Sequence, residues 1–309
     1  MALTTNDSAS PSLFVRKRKT YRPGGFAPYL FISPFYVLFG IFFLLPTLFA
    51  LVLGFFSWSA LGTPKFFGVR NYERLFTGDP IFWTAVGNTS FCAAASLFVV
   101  APLALLMALA LNAKQLRFRT FWRAIYFAPI VTSTVAVSLV FRLFYNEQYG
   151  LINSVITMFG GTPVNWLGSM AAAKFAVMGV VIWRWTGLLS IYFLAGLQAV
   201  PGELYEAAAI DGATRIQRFF SVTLPSLRPV ILFVSVIVLI GSLQIFDDPQ
   251  ILTGGGPANS SLSIVQYLYI RGVSNLYYGY ASAVGVFLFV VIFTLSLLQF
   301  SLFRGFRED

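Results

Sequence analysis

The chain of 309 residues has no histidine, one cysteine and only 10% charged residues. Without histidine it lacks the commonest general base and the commonest metal ligand, which excludes Cys–His catalysis and histidine-based zinc sites. A single cysteine permits no intrachain disulfide, and Cys92, set in an apolar run, reads as a small buried hydrophobe. No Gly-x-x-x-x-Gly-Lys-Ser/Thr stretch occurs, so the chain has no phosphate-binding loop for hydrolysing ATP. Gly254-Gly255-Gly256 lacks the lysine and the strand–helix setting, and reads as a flexible external turn. The scarcity of charge is itself informative. A soluble domain carries about 25% charged residues. With 58% hydrophobic residues and a mean hydropathy of +0.78, this chain could not keep its surface wet, so the bilayer is its solvent.

The net charge is +10 and the pI is near 9.9. Nucleic-acid binding would gather such charge into a patch with aromatics. Here the basic residues lie between apolar segments, as expected beside a membrane. Stretches without charge separate them: Arg22 to Lys65, Asp79 to Lys114, Arg123 to Arg142, Arg228 to Asp247 and Arg271 to Arg304, with Lys174 to Glu203 broken only by Arg184. A spanning helix needs roughly 20 apolar residues at about 1.5 Å each. Six transmembrane helices are expected near 29–56, 84–111, 122–144, 174–198, 229–246 and 281–303, giving an all-α membrane protein. Pro34, Pro46, Pro102 and Pro129 fall in or near these spans and mark kinks. No internal repeat is evident.

Lys and Arg set the orientation. If the N-terminus is cytoplasmic, that side holds fourteen of them, including Arg16 to Arg22, Lys114 to Arg123 and Arg215 to Arg228; the other side holds six. Both termini are therefore expected inside. The expected domains are a basic, partly disordered cytoplasmic tail (1–27), a membrane domain (28–303) enclosing a cytoplasmic loop (201–229), and a cytoplasmic C-terminal tail (304–309).

That loop carries the most information. Pro201 suits the first position of a helix, Glu203 and Glu206 suit its opening turns, and Leu204, Ala207 and Ala208 share a face. Gly212 permits a sharp turn. Thr214 and Gln217 have capping-box spacing, and a second short helix runs through Ile216, Phe219 and Phe220 to Leu224-Pro225. The small alanine patch, flanked by acids, suits docking into a groove of another protein.

Glu206-Ala207-Ala208, Asp211-Gly212-Ala213 and Leu224-Pro225 resemble the EAA loop of binding-protein-dependent ABC importer permeases. Asn88-Thr89 resembles the same family's Asn-Thr signature, and Leu197 to Pro201 its approach to the loop. Phe246-Asp247, Leu252-Thr253 and Gly255-Gly256-Pro257 resemble the maltose and glycerol-phosphate permease branch. The resemblance covers most of 30–303. It implies a permease in the bacterial or archaeal inner membrane with no cofactor of its own. ATP and Mg would belong to a partner ATPase, and Glu206, Ala207, Ala208, Asp211 and Gly212 would form the coupling helices that seat in it. The implied partners are a second, homologous permease in a heterodimer, two ATPase subunits, an extracytoplasmic solute-binding protein, membrane lipid and a sugar-like solute; no nucleic acid is implied. A secondary transporter, the main competing reading, would leave the loop without a use and would normally show inverted repeats.

An ionisable residue inside a membrane lines a cavity or forms a pair. Arg184 is flanked by Trp183 and Trp185, which together supply stacking faces and hydrogen bonds for a sugar, or else form an outer aromatic belt. Ser242, Gln244 and Asp247, at the end of the fifth span, are candidates for solute contact or helix association, with Asp247 a candidate partner for Arg184. The solute remains open among monosaccharide, disaccharide, oligosaccharide and glycerol phosphate, and Arg184 leaves an anion open. Tyr267, Tyr269, Tyr277, Tyr278 and Tyr280 read as belt residues, or as contacts for the binding protein.

Overall fold

The structure, a computed structural model, describes residues 26–305 apart from 61 and 114. The expectations for the basic N-terminal tail and the last four residues fall outside these. The chain divides into two units, Met1–Thr47 and Leu48–Asp309. In the first, helical structure begins at Ala27 and runs through Pro34. It belongs to α1 (Pro28–Leu53), whose length and apolar composition suit a bilayer crossing.

In the second unit a two-stranded antiparallel ribbon, β1 (Phe56–Ser57) and β2 (Lys65–Phe66), precedes α2 (Arg70–Thr77). The long helix α3 (Pro80–Asn112) follows, then α4 (Arg119–Val131), α5 (Thr134–Phe144) and α6 (Leu151–Met158). Helix α7 is Met170–Ala199; the short α8 (Gly202–Ile210) and α9 (Arg215–Arg218) come after it. The last segments are α10 (Arg228–Leu243), α11 (Asp247–Leu252), α12 (Ile264–Tyr269) and α13 (Tyr278–Gly305). Among the described residues five helices are long and apolar enough to span; with the bent pair α4–α5 taken as one span, the count is six.

Two spans differ from expectation. The third, read as one helix over 122–144 with a kink at Pro129, is broken: α4 and α5 meet at 97°. Thr132 and Ser133 are extended, and the Thr132 hydroxyl donates to the Ala128 carbonyl (2.9 Å), capping the end that Pro129 weakens. The fifth, expected to end at 246, is interrupted between Gln244 and Phe246 and resumes as α11.

Pro34 lies within a regular α-helical stretch, whereas Pro46, Pro102 and Pro225 follow wide helical turns. Three of the four π turns among the described residues (Gly40–Leu44, Ser96–Val100, Phe219–Thr223) end two residues ahead of a proline, at Pro46, Pro102 and Pro225. A proline ring clashes with the carbonyl four residues before it, and widening that turn by one residue moves the carbonyl aside.

The main core joins the second half of α3 to α7 and α10, with Ala104, Ala108, Leu189, Leu227 and Val234 fully buried. The alanines let α3 approach α7 closely, which suits association in lipid, where shape fit replaces much of the hydrophobic drive. On another face of α7, a Cβ at Gly187 would lie 1.8 Å from the Tyr126 carbonyl oxygen, so only glycine lets α4 lie there. A second core unites Leu75, Phe82, Leu262, Tyr267 and Val284.

Candidate functional site

The hairpin over 201–229 is held together from within. Pro201 is the N-cap of α8, one position earlier than expected. The helix ends with Gly212 at φ +77°, the Gly212 N–H on the Ala209 carbonyl (3.1 Å) and the Ala213 N–H on that of Ala208 (2.9 Å). This Schellman arrangement requires the left-handed residue that glycine supplies. The next helix starts with the expected capping box: the Thr214 N–H donates to Gln217 Oε1 (2.8 Å), and the Gln217 N–H to Thr214 Oγ1 (3.4 Å). A hydrogen bond between the Tyr205 and Thr223 hydroxyls (3.0 Å) joins the two arms. The second arm stays helical to Ser226, slightly beyond the stop expected at Leu224-Pro225. Outwardly the hairpin is bare. Helix α8 buries no residue, Glu206, Ala207, Asp211 and Gly212 are exposed, and Ala208 is half-buried. Ile210 and Ile216 are 86% and 72% exposed.

The second centre lies where α5, α7 and α11 meet. Arg184 on α7, 7% exposed, donates through Nη2 to Asp248 Oδ2 at 2.7 Å. Asp248 Oδ1 also accepts from the Ser138 hydroxyl of α5 (3.4 Å). The partner of Arg184 is thus Asp248 and not Asp247, the expected candidate. The break after Leu243 sets the register of α11, turning Asp248 inward and leaving its neighbour exposed.

Beside the pair is a cavity of about 150 Å³, lined among others by Ser96, Trp185, Ser242, Gln244, Asp247 and Arg184 itself. Trp183 points elsewhere. It packs on Phe141 (ring centroids 5.3 Å) along an apolar groove at the α4–α5 bend, so the two tryptophans do not sandwich Arg184. Successive helical residues differ by about 100°, which separates 183 from 185. The Ser242 hydroxyl donates to the Val238 carbonyl of its own helix (2.7 Å). Among the described residues, Arg184 Nε and Nη1 and Ser96 Oγ are buried without a hydrogen-bond partner.

Residues 100–308 match the family described as binding-protein-dependent transport system inner membrane component. The chain belongs to that family. It is 38% identical over 285 residues to the arabinooligosaccharides transport system permease protein AraP of Bacillus subtilis (strain 168), covering 92% of this chain and 90% of that one. It is 36% identical over 279 residues to the lactose transport system permease protein LacF of Rhizobium radiobacter, covering 88% and 92%. A crystal structure of a bacterial ABC transporter involved in the import of the acidic polysaccharide alginate has a chain similar in fold, with a TM-score of 0.80 and 27% identity over 91% of this chain and 96% of that one. The chain is therefore a multi-pass inner-membrane permease of an ABC importer, a transport component and not its ATPase; ATP binds to the partner.

Two features that sequence reading treated separately come together in the permease. Asn88 Nδ2 donates to the carbonyls of Asn259 (2.8 Å) and Leu262 (3.1 Å), and Thr89 Oγ1 accepts from the Ile264 N–H (2.9 Å). The Asn-Thr pair thus clamps the loop that begins with Gly255-Gly256-Pro257. That loop is also closed by Thr253 and Ser261, whose hydroxyls lie 2.6 Å apart.

The tyrosines divide. Tyr269 and Tyr277 are exposed, as a belt requires. Tyr267 and Tyr280 are buried, and both donate to Asp79 Oδ2, Tyr280 at 2.7 Å. Asp79 Oδ1 accepts from the Phe82 N–H (3.1 Å) at the start of α3, and Arg271 Nη2 lies 3.6 Å from Oδ2. Burial by itself would raise the Asp79 carboxyl; the two hydroxyls, the N–H and the guanidinium outweigh it and hold the carboxyl below its ordinary range. Sequence reading missed this cluster because its members are nearly 200 positions apart.

Proposed function

We propose that the permease carries a carbohydrate through the cavity beside Arg184 and receives the ATP-driven stroke through the hairpin over 201–229. The observation that carries the coupling role is the contrast within the hairpin: its turns are fixed by internal caps, while its apolar and acidic side chains are exposed. A lever needs such stiffness, and a docking face needs such exposure. Glu206, Ala207, Ala208, Asp211 and Gly212 form the face, which seats in one of two ATPase subunits. A second, homologous permease and an extracytoplasmic binding protein complete the complex. The Lys and Arg bias puts the hairpin and both termini in the cytoplasm.

The carbohydrate reading draws on the sugar permeases that the chain resembles and on the cavity's mixture of an aromatic face, Trp185, with polar groups from Arg184, Gln244 and Asp247.

Gly212→Val tests the coupling. A Cβ at Gly212 meets no atom within 4 Å, so the substitution acts only through the strained positive φ. We expect uptake to fall more than tenfold while the protein still inserts and co-purifies with its ATPase; Gly212→Asn, which tolerates this conformation better, keeps much of it. Normal uptake by the valine variant would refute the lever. A chain that purifies from its native membrane without any ATPase, even after crosslinking at Glu206, would refute the docking face.

A further inference from the structure

A buried arginine in a transport pathway suggests an anionic cargo. The charges around the cavity point the other way. Arg184 is its only lining cation among the described residues, and its Nη2 is engaged by Asp248 at 2.7 Å. Asp247 adds a second carboxylate to the lining. The formal balance is one positive against two negative charges. A sugar acid entering here would have to displace Asp248 or leave its own carboxylate beside Asp247 with no lining cation available.

The exposed polar groups of the lining are complementary to hydroxyls. Arg184 Nε and Nη1 and the Ser96 hydroxyl have no hydrogen-bond partner among the described residues, but they are buried within the wall. Asp247 supplies acceptors, and the Gln244 amide both donates and accepts. A sugar hydroxyl also does both, so one hydroxyl could pair with the Gln244 amide while an adjacent one donates to Asp247. The aromatic face of Trp185 in the same lining suits the apolar face of a sugar ring, and is the observation independent of the carboxylates.

We infer that this cavity selects neutral saccharides and rejects acidic ones, with Asp248 neutralising Arg184 and Asp247 repelling anions. The inference rests on the carbohydrate reading above. It makes Asp247 and Asp248 residues that determine specificity.

The test uses the intact importer, with its binding protein, in proteoliposomes. Uptake of labelled arabinotriose is measured with unlabelled arabinotriose or trigalacturonate as competitor. The binding protein's affinity for each is measured separately and divided out, leaving the membrane complex's own discrimination. The wild type should disfavour the acidic trisaccharide at least tenfold, and Asp247→Asn should shrink that ratio several-fold. Equal or stronger competition by the acid in the wild type overturns the inference while leaving the carbohydrate reading intact. So does an unchanged ratio in an assembled Asp247→Asn complex; if that variant does not assemble, the wild-type ratio decides. Failure to import any of a panel of neutral and acidic saccharides overturns both.

Discussion

Two buried carboxylates, Asp79 and Asp248, show how similar chemistry serves different ends. Asp79 is saturated: two tyrosine hydroxyls, a backbone N–H and Arg271 surround it. It ties the start of α3 to α12 and α13. Asp248 also ties elements together, joining α5, α7 and α11, but the arginine that it engages lines a cavity and keeps two buried N–H donors without partners among the described residues. A saturated polar cluster has nothing left to offer a ligand. An unsaturated one is costly to the resting protein and is therefore where a passing solute is to be sought.

The largest effect that would test this contrast comes from Asp248→Leu. It leaves Arg184 buried and uncompensated, which typically costs about 3–5 kcal/mol, and the thermal midpoint in detergent should fall accordingly. Adding Arg184→Met should recover most of that stability, because buried pairs are often replaceable by apolar groups, yet uptake should stay low. Uptake restored together with stability would reduce Asp248 to a structural joint like Asp79.

Asp79→Asn should cost less, about 1–3 kcal/mol, and its uptake per folded molecule should remain near that of the wild type. The effect depends on pH. The folded Asp79 carboxyl lies below the ordinary value of about 3.9, so its stabilisation is complete above that value and is lost as the pH falls through the folded one. The difference in thermal midpoint between wild type and Asp79→Asn should be flat between about pH 7 and 5 and close below about pH 4; a gap that persists at lower pH would count against the assigned hydrogen bonds. Ser138→Ala is the mildest, removing a long 3.4 Å bond to Asp248 at a cost under about 1 kcal/mol in the same assay. A larger loss would mean that Ser138, and not Arg184, positions the carboxylate.

The legible parts of the site are those built from neighbours in the chain. The turn at Gly212 and the Thr214–Gln217 box involve residues within five positions of one another, so their geometry follows from residue type alone. The apolar runs located the spans for the same reason. Pro129 announced a perturbation of the third span, but its size, 97°, depends on Thr132, Ser133 and the packing of α4 against Gly187. The tyrosines of 267–280 could not be sorted into belt and core, because Asp79 lies outside their segment.

The sequence by itself determined the solvent, the number of crossings, the hairpin and the absence of an ATP-binding loop in this chain. These depend on composition, run length and short-range hydrogen bonds. Only the tertiary structure decided that Arg184 meets Asp248 in place of Asp247, that Trp183 and Trp185 face different surroundings, and that Asn88-Thr89 grips the loop before α12. Each depends on rotation about a helix axis, where one residue is a turn of about 100°. That rotation is fixed by packing between segments far apart in the chain.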